Sequence, residues 1–298
     1  MSDMVKSLSD ALAASVATTG QSILRMETRR RMPATGVAYR ADGVIVTSNH
    51  VVDRDDNLRV GLPNGDTVEA KLIGRDPSTD LALLKVEGVT LTPPAWADVK
   101  DIKVGHLVLA LGRPGREVTA TLGVVSAFES AEKMRIGAQL DYYLQTDVTM
   151  YPGFSGGALL SASGHVYGIN TSALMDGVSL TITTATIVRV AEHLLKHGKM
   201  SRGFLGVGTQ PVKLPALVAE ALKQETGLMV MTVESDSPAE KGGLFLGDTL
   251  VSLEGKALHT PETLRGMLSS EMVGRAITLR VLRGGQLQDV SVTIGERK

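Results

Sequence analysis

Apolar and polar positions alternate with a period near two along most of the first two hundred residues. The pattern runs through "GVAYRADGVIVT", "LRVGLPNGDTVEAKLIG", "LALLKV", "LVLALG", "ATLGVVSAF", "YYLQTDV", "GHVYGINTS" and "VSLTIT", which read as short strands. Asp42-Gly43 and Asn64-Gly65 supply hairpin turns between apolar segments. Two sets of about six strands predict paired small barrels rather than one sheet. The rhythm changes at "ATIVRVAEHLLKHGK", where Ile187, Val190, Leu194 and Leu195 take helical spacing and Gly198 supplies the stop. At the start of the chain Leu8, Leu12 and Val16 fall four apart, an amphipathic helix.

A second module begins near Gly203. Strands ("FLGVGTQ", "GLMVMTVE", "TLVSLEGK") interleave with helices ("PALVAEALKQ", "TPETLRGMLSS") and end in the hairpin "AITLRVLRGGQLQDVSVTI". That is enough mixed α and β for a self-sufficient domain. The expected organisation is a segment over 1–32, a first domain over 33–200 and a second over 203–298.

Composition narrows the chemistry. The 298-residue chain is 43% hydrophobic but only 3% aromatic, so its core must be built from Val, Leu, Ile, Ala and Met. A net charge of −1 lacks the basic excess of nucleic-acid or membrane-surface proteins. Arg29 to Arg31 then read as a solvated cluster. Zero cysteines exclude disulfides, thiol catalysis and thiolate metal sites. No run approaches the roughly 18 apolar residues of a membrane span. Asp10 interrupts the stretch where the apolar part of a leader would fall, so the expectation is a cytoplasmic protein.

The stretch "TMYPGFSGGALL" sets Ser155 among Gly153, Gly156 and Gly157. Two readings compete: a tight turn containing a serine, or a nucleophile with backbone N–H groups aimed beside it. A nucleophilic serine needs a base, and the base an orienting acid. His50 ends a strand at "GVIVTSNHVV", and Asp80 directly precedes the apolar strand "LALLKV", where a carboxylate needs a partner. Asp147 is the rival acid, and Asp76 reads as a turn-former ahead of Pro77. His193 and His197 read as imidazoles near a helix C-terminus, where positive charge is favoured. With no third ligand in view, no metal site is expected.

Gly153-Phe154-Ser155-Gly156-Gly157 also satisfies GxSxG. In an α/β hydrolase, however, that motif opens a helix and its acid and histidine follow. Here strands follow and the candidates precede. The order His, Asp, Ser belongs to double-barrel proteases.

On "TSNHVV", "DPSTDLALLKV", "QTDVTMYPGFSGGALL" and "GINTSAL" the chain resembles the HtrA/DegP family of serine proteases. "RGFLGV", "SPAEKGGLFLGDTLVSLEGKAL" and "TPETLRGML" resemble the PDZ domain that follows in that family. The resemblance covers roughly residues 22 to 298. It implies a mostly β fold: a chymotrypsin-like double β-barrel followed by an α+β PDZ domain. It further implies His50 as general base, Asp80 as its orienting carboxylate and Ser155 as nucleophile. The N–H groups of Gly153 and Ser155 would form the oxyanion hole, and Met150 would lie near the floor of the specificity pocket, favouring medium-sized aliphatic residues. In the PDZ module, Phe204, Leu205 and Gly206 would cradle a terminal carboxylate beside a strand starting at Val207. Leu264 and Leu268 line that groove or are ordinary core residues.

The resemblance implies no cofactor, unfolded polypeptide substrates, C-terminal peptides at the PDZ groove, no nucleic-acid partner and a homo-oligomer, a trimer first. Residues 1–31, though, contain no Phe, Tyr or Trp. Two departures matter. Phe154 stands where the family has Asn or Asp, so the oxyanion loop is either held by packing or unformed at rest. "VSLTITT" lacks the family's glycines and proline beside the substrate. A catalytically dormant scaffold or chaperone that binds peptides is therefore the alternative function.

Overall fold

The computed structural model describes residues 2–30, 32–130, 140–175, 177–200, 203–268 and 272–296. Arg31 and the residues joining the two modules at 201–202 lie outside them. The chain divides into two compact units, Met1–Met200 and Ser201–Lys298.

In the first unit a helix, α1 (Ser2–Gly20), precedes two closed barrels. The first is built from β1 (Ile23–Glu27), β2 (Ala34–Arg40), β3 (Val44–Ser48), β4 (Leu58–Gly61), β5 (Thr67–Asp76) and β6 (Leu81–Val86), in the order β1-β2-β3-β6-β5-β4. It thus takes in Ile23–Glu27, upstream of residue 33, because β1 pairs with both β2 and β4. The second barrel uses β7 (Leu107–Gly112), β8 (Thr119–Ser130), β9 (Tyr142–Thr146), β10 (Ala158–Ser161), β11 (Val166–Thr171) and β12 (Ser179–Thr183). Helix α2 (Thr184–His197) closes the unit, capped by Gly198 in the left-handed conformation at φ 71°. Gly43 and Gly65 take positive φ in their hairpins, as the turn signals require.

The buried strands read as continuous apolar runs because each has two dry faces. In β3, Val44 and Val46 join the cluster shared between the barrels, while Ile45 fills the first barrel's interior. Strand β6 does the same, with Leu81 and Leu83 facing one way and Ala82, Leu84 and Val86 the other. In β7, Leu109 and Leu111 join the shared cluster, and Val108 and Ala110 fill the second barrel. Period-two geometry sends neighbours to opposite faces. Here both are core, so the two barrels meet through a continuous apolar layer that sets their strand ends edge to edge.

The second unit contains β13 (Gly203–Phe204), β14 (Val207–Lys213), α3 (Ala216–Leu222), β15 (Thr226–Val233), α4 (Pro238–Lys241), β16 (Thr249–Leu253), β17 (Lys256–Ala257), α5 (Pro261–Met267), β18 (Ala276–Arg283), β19 (Gln286–Thr293) and β20 (Gly295–Glu296). Its main sheet runs β14-β15-β16-β18-β19, which leaves β14 at an edge. Ser237 and Thr260 cap α4 and α5 through their side-chain oxygens, with Pro following each. The core gathers Leu205, Leu228, Val230, Leu250, Leu264 and Ile277 with their neighbours.

Candidate active site

Strands β3 and β6 pair with Ser48 opposite Leu81, so the residues just past each strand end, Asn49 and Asp80, also meet. The Asn49 N–H donates to the Asp80 carbonyl at 2.9 Å. A single 3-10 turn, Asn49–Val51, then presents His50. Asp80 grips this turn twice. Its Oδ1 accepts the His50 backbone N–H at 2.8 Å and its Oδ2 faces His50 Nδ1 at 2.8 Å. A carboxylate only accepts, so Nδ1 carries the proton and Nε2 has a free lone pair. Asp80 is buried and sits at φ 55°, an uncommon backbone state that Asp tolerates and its four bonds over-determine. The fourth bond comes from the Thr171 hydroxyl at the end of β11. Thr171 was not among the sequence candidates; "GINTS" carried the signal, a polar run ending a strand with two dry faces.

Ser155 reaches the same cleft from the second barrel. Gly156 has φ 84°, and a Cβ there would collide with the Thr35 carbonyl and crowd the Ser48 N–H. The turn backbone therefore lies pressed against the ends of β2 and β3, two residues before His50. The Thr35 N–H donates to the Ser155 carbonyl at 3.3 Å, and the Gly156 N–H donates to the Asn170 carbonyl at 2.9 Å. Ser155 is almost buried. Its hydroxyl lies 3.3 Å from that of Ser172 and makes its bond there rather than to His50.

The loop before Ser155 is held by packing. Phe154 is 1% exposed, in a cluster with Leu144, Val148 and Leu159, and stands edge-on to Tyr151. A Cβ at Gly112 would come within 2.6 Å of its ring. Thr35 Oγ1 donates to the Gly153 carbonyl at 2.7 Å, and the Phe154 carbonyl accepts the Gly157 N–H at 2.9 Å. The Phe154–Ser155 peptide is thereby oriented with the Ser155 N–H on its opposite side. Neither that N–H nor the Gly153 N–H has an acceptor among the described residues. Two unspent donors beside a hydroxyl are the arrangement that receives a developing oxyanion. Met150 packs half-buried against the same cluster as Phe154.

The remaining candidates do other work. Asp147 accepts the Val124 N–H at 2.6 Å and holds the β8–β9 register. Asp76 is the expected turn-former, accepting from Ser78 and Thr79. His193 departs from the helix-end cation predicted for it: burial first, then the neighbouring His197, hold its imidazole below the ordinary range. Among the described residues no cluster of His, Cys, Asp or Glu is arranged to hold a metal.

In the second unit, Phe204 pairs with Gly295, and Leu205 and Gly206 lead into the edge strand β14. The N–H groups of Leu205 and Gly206 have no acceptor among the described residues. Leu264 and Leu268 are buried core residues. Gly206 has φ 83°, and a Cβ there would collide with the Ser237 side chain. The glycine is therefore required by its own domain before any ligand approaches.

A two-barrel unit followed by a unit whose six-stranded sheet leaves β14 at its edge defines the class: a trypsin-like peptidase fold joined to a PDZ domain. A trypsin-like peptidase domain model matches residues 34–169, and a PDZ domain model matches 203–294. Among curated relatives, probable periplasmic DegP-like serine endoproteases from Chlamydia trachomatis and Pseudomonas putida are 33% and 37% identical. The matches cover 91% and 88% of this chain. The chain spans 55% of the length of each of these relatives. Two solved structures of the HtrA-type protease AlgW, with a decapeptide and with a tripeptide, superpose at TM-scores of 0.79 and 0.77. They are 28% and 30% identical, cover 96% of this chain, and are themselves covered to 99% and 97%. The chain belongs to the HtrA/DegP family of trypsin-like serine proteases with a PDZ domain. None of the described helices is long and apolar enough to cross a membrane.

The expectation of a cytoplasmic protein is overturned, because the relatives are named periplasmic. Zero cysteines and near-neutral charge suit either side of a membrane, so composition never separated the two.

Proposed function

We propose that the chain is a serine endopeptidase acting outside the cytoplasm on unfolded or damaged polypeptides, with a PDZ unit that captures their C-termini. The observation that supports this reading is the Asp80 carboxylate holding both the backbone N–H and the ring Nδ1 of His50 at the strand end against which the turn carrying Ser155 is pressed. The reaction requires the Ser155 hydroxyl to exchange its Ser172 partner for His50 Nε2. The Ser155 Oγ then attacks the scissile carbonyl as His50 takes its proton. The carbonyl oxygen gains charge beside the N–H groups of Gly153 and Ser155, where one donor is worth roughly 10² to 10³-fold in rate. His50 returns the proton to the departing amine, leaving an acyl-enzyme. A water repeats the sequence, and Asp80 stabilises the imidazolium both times.

Met150 and the apolar cluster beneath it favour a medium-sized aliphatic residue on the acyl side. In the PDZ unit, the Leu205 and Gly206 N–H groups receive the terminal carboxylate and the free edge of β14 pairs with the peptide backbone. Met4, Val5 and Leu8 remain exposed on α1, an apolar face suited to assembly into a homo-oligomer, which light scattering would count.

Labelling with a fluorophosphonate probe tests the reading. The parent should label and Ser155→Ala should not. Absence of label on both, with C-terminal peptides still bound, would establish the dormant scaffold instead.

A further inference from the structure

Beside the candidate active site lies a cavity of about 910 Å³. Arg29, Arg30 and Met32 form one wall, Asp53, Arg54, Asp56 and Asn57 another, and Pro152 completes it. The two walls are tied together. Thr28 Oγ1 donates to the Val51 carbonyl at 2.6 Å, and the Asp53 N–H donates to the Thr28 carbonyl at 3.3 Å. The cavity adjoins both halves of the chemistry, since Asp53 follows His50 by three residues and Pro152 directly precedes Gly153. Met150 is not part of this lining; it packs against the second barrel's core. In the proposed reaction His50 protonates the departing amine, so the leaving-group residues pass beside His50, three positions before the Asp53 that lines this cavity.

Its lining is charged. Arg29, Arg30 and Arg54 contribute three guanidinium groups, against the carboxylates of Asp53 and Asp56. None of the three arginines has an ion-pair partner among the described residues. Nearby acids are committed elsewhere: Glu27 to Arg25 and Arg59, Asp55 to Arg75, and Asp56 to the Asn57 amide. Arg29 spends its Nε on the Met32 carbonyl. Arg54 makes only a 3.5 Å contact to the Glu27 carbonyl, and its Nε is buried without an acceptor. Asp53 and Asp56 offset two of the three guanidinium charges, so the cavity keeps a cationic excess of one, with unspent fork donors. That geometry matches a carboxylate, which takes two parallel N–H bonds from a guanidinium.

We propose that this cavity is a specificity subsite for an aspartate or glutamate side chain one or two residues beyond the cleaved bond. The inference rests on the protease reading above, and adds to it which polypeptide segments are cut.

The test uses peptides of one acyl-side sequence, C-terminally amidated, with Asp or Glu, Asn or Gln, or Lys at the first two leaving-group positions. The parent should show kcat/KM about tenfold higher for the acids than for their amides, and lower still for Lys. Being partly solvated, the preference should shrink in 1 M salt. Arg30→Gln and Arg54→Gln should each reduce the acid-to-amide ratio, and exposed Arg30→Glu should turn it toward Lys. A ratio near one in the parent, or an acid preference that survives all three variants, overturns the proposal. So does a gain seen only with a free terminal carboxylate. Fluorophosphonate labelling of the parent needs no leaving-group residues. Its absence would remove the protease reading and this inference together, whereas labelling with no acid preference removes the inference alone.

Discussion

The Thr171 hydroxyl, at the end of a second-barrel strand, donates at 2.5 Å to the same Asp80 oxygen that faces the His50 ring. The carboxylate that orients the proposed base is thus itself oriented from the opposite barrel. A charge-assisted hydrogen bond of this kind contributes about 1.5–3 kcal/mol. Thr171→Val should therefore lower kcat about tenfold or more with little change in KM, and Thr171→Ser should restore most of it. Equal losses in both variants would mean the side chain serves packing alone.

Phe154 packs beneath the loop proposed to receive the oxyanion. Phe154→Ala empties a closed site and should cost the first unit about 3–5 kcal/mol. Urea melts report that loss, and fluorophosphonate labelling of the still-folded fraction should slow as well. Labelling at the parental rate per folded molecule would show that the loop keeps its shape without the ring.

Gly206 belongs to the loop expected to cradle a terminal carboxylate. Its positive φ and the Ser237 side chain against it make Gly206→Val a stability variant. Left-handed backbone costs a branched residue roughly 1–2 kcal/mol, and overpacking adds about 1–3 kcal/mol. The PDZ unit should melt at lower urea, with peptide affinity falling in consequence. A variant that melts normally yet has lost its peptide would contradict this.

Asp248 lies buried beneath Arg283, which grips both carboxylate oxygens at 2.7 Å and stacks on Phe245. Burial alone would raise the Asp248 carboxyl, but the Arg283 hydrogen bonds, the Phe245 N–H and the Arg283 charge outweigh it and hold the group below its usual range. A depressed folded-state pKa gives stability that is present above the unfolded value, near 3.9, and lost as pH falls through the folded one. The PDZ unit should therefore lose stability as acid carries it below about pH 4. Arg283→Met should cost roughly 2 kcal/mol at neutral pH by stranding the carboxylate. An acid melt identical in the variant and the parent would count against the pair.

Local pattern carried most of the fold. Alternating apolar positions, Asp42-Gly43 and Asn64-Gly65 turns, and the helical spacing ending at Gly198 are properties of neighbours in the chain, and the structure has strands, hairpins and a capped helix there. His50 and Asp80 stand out because each sits at a strand end, and Ser155 because entropically costly glycines surround it. Tertiary structure alone decided what surrounds them. Thr171 meets Asp80 across 91 positions, Thr35 meets Gly153 across 118, and the arginine cavity joins loops that neither spacing nor periodicity relates. His193 likewise looked like a helix-end cation until burial showed otherwise. Periodicity and turn chemistry act within a few residues, but hydrogen bonds and desolvation depend on which surfaces the closed barrels bring face to face, and that is settled only when the shared core packs.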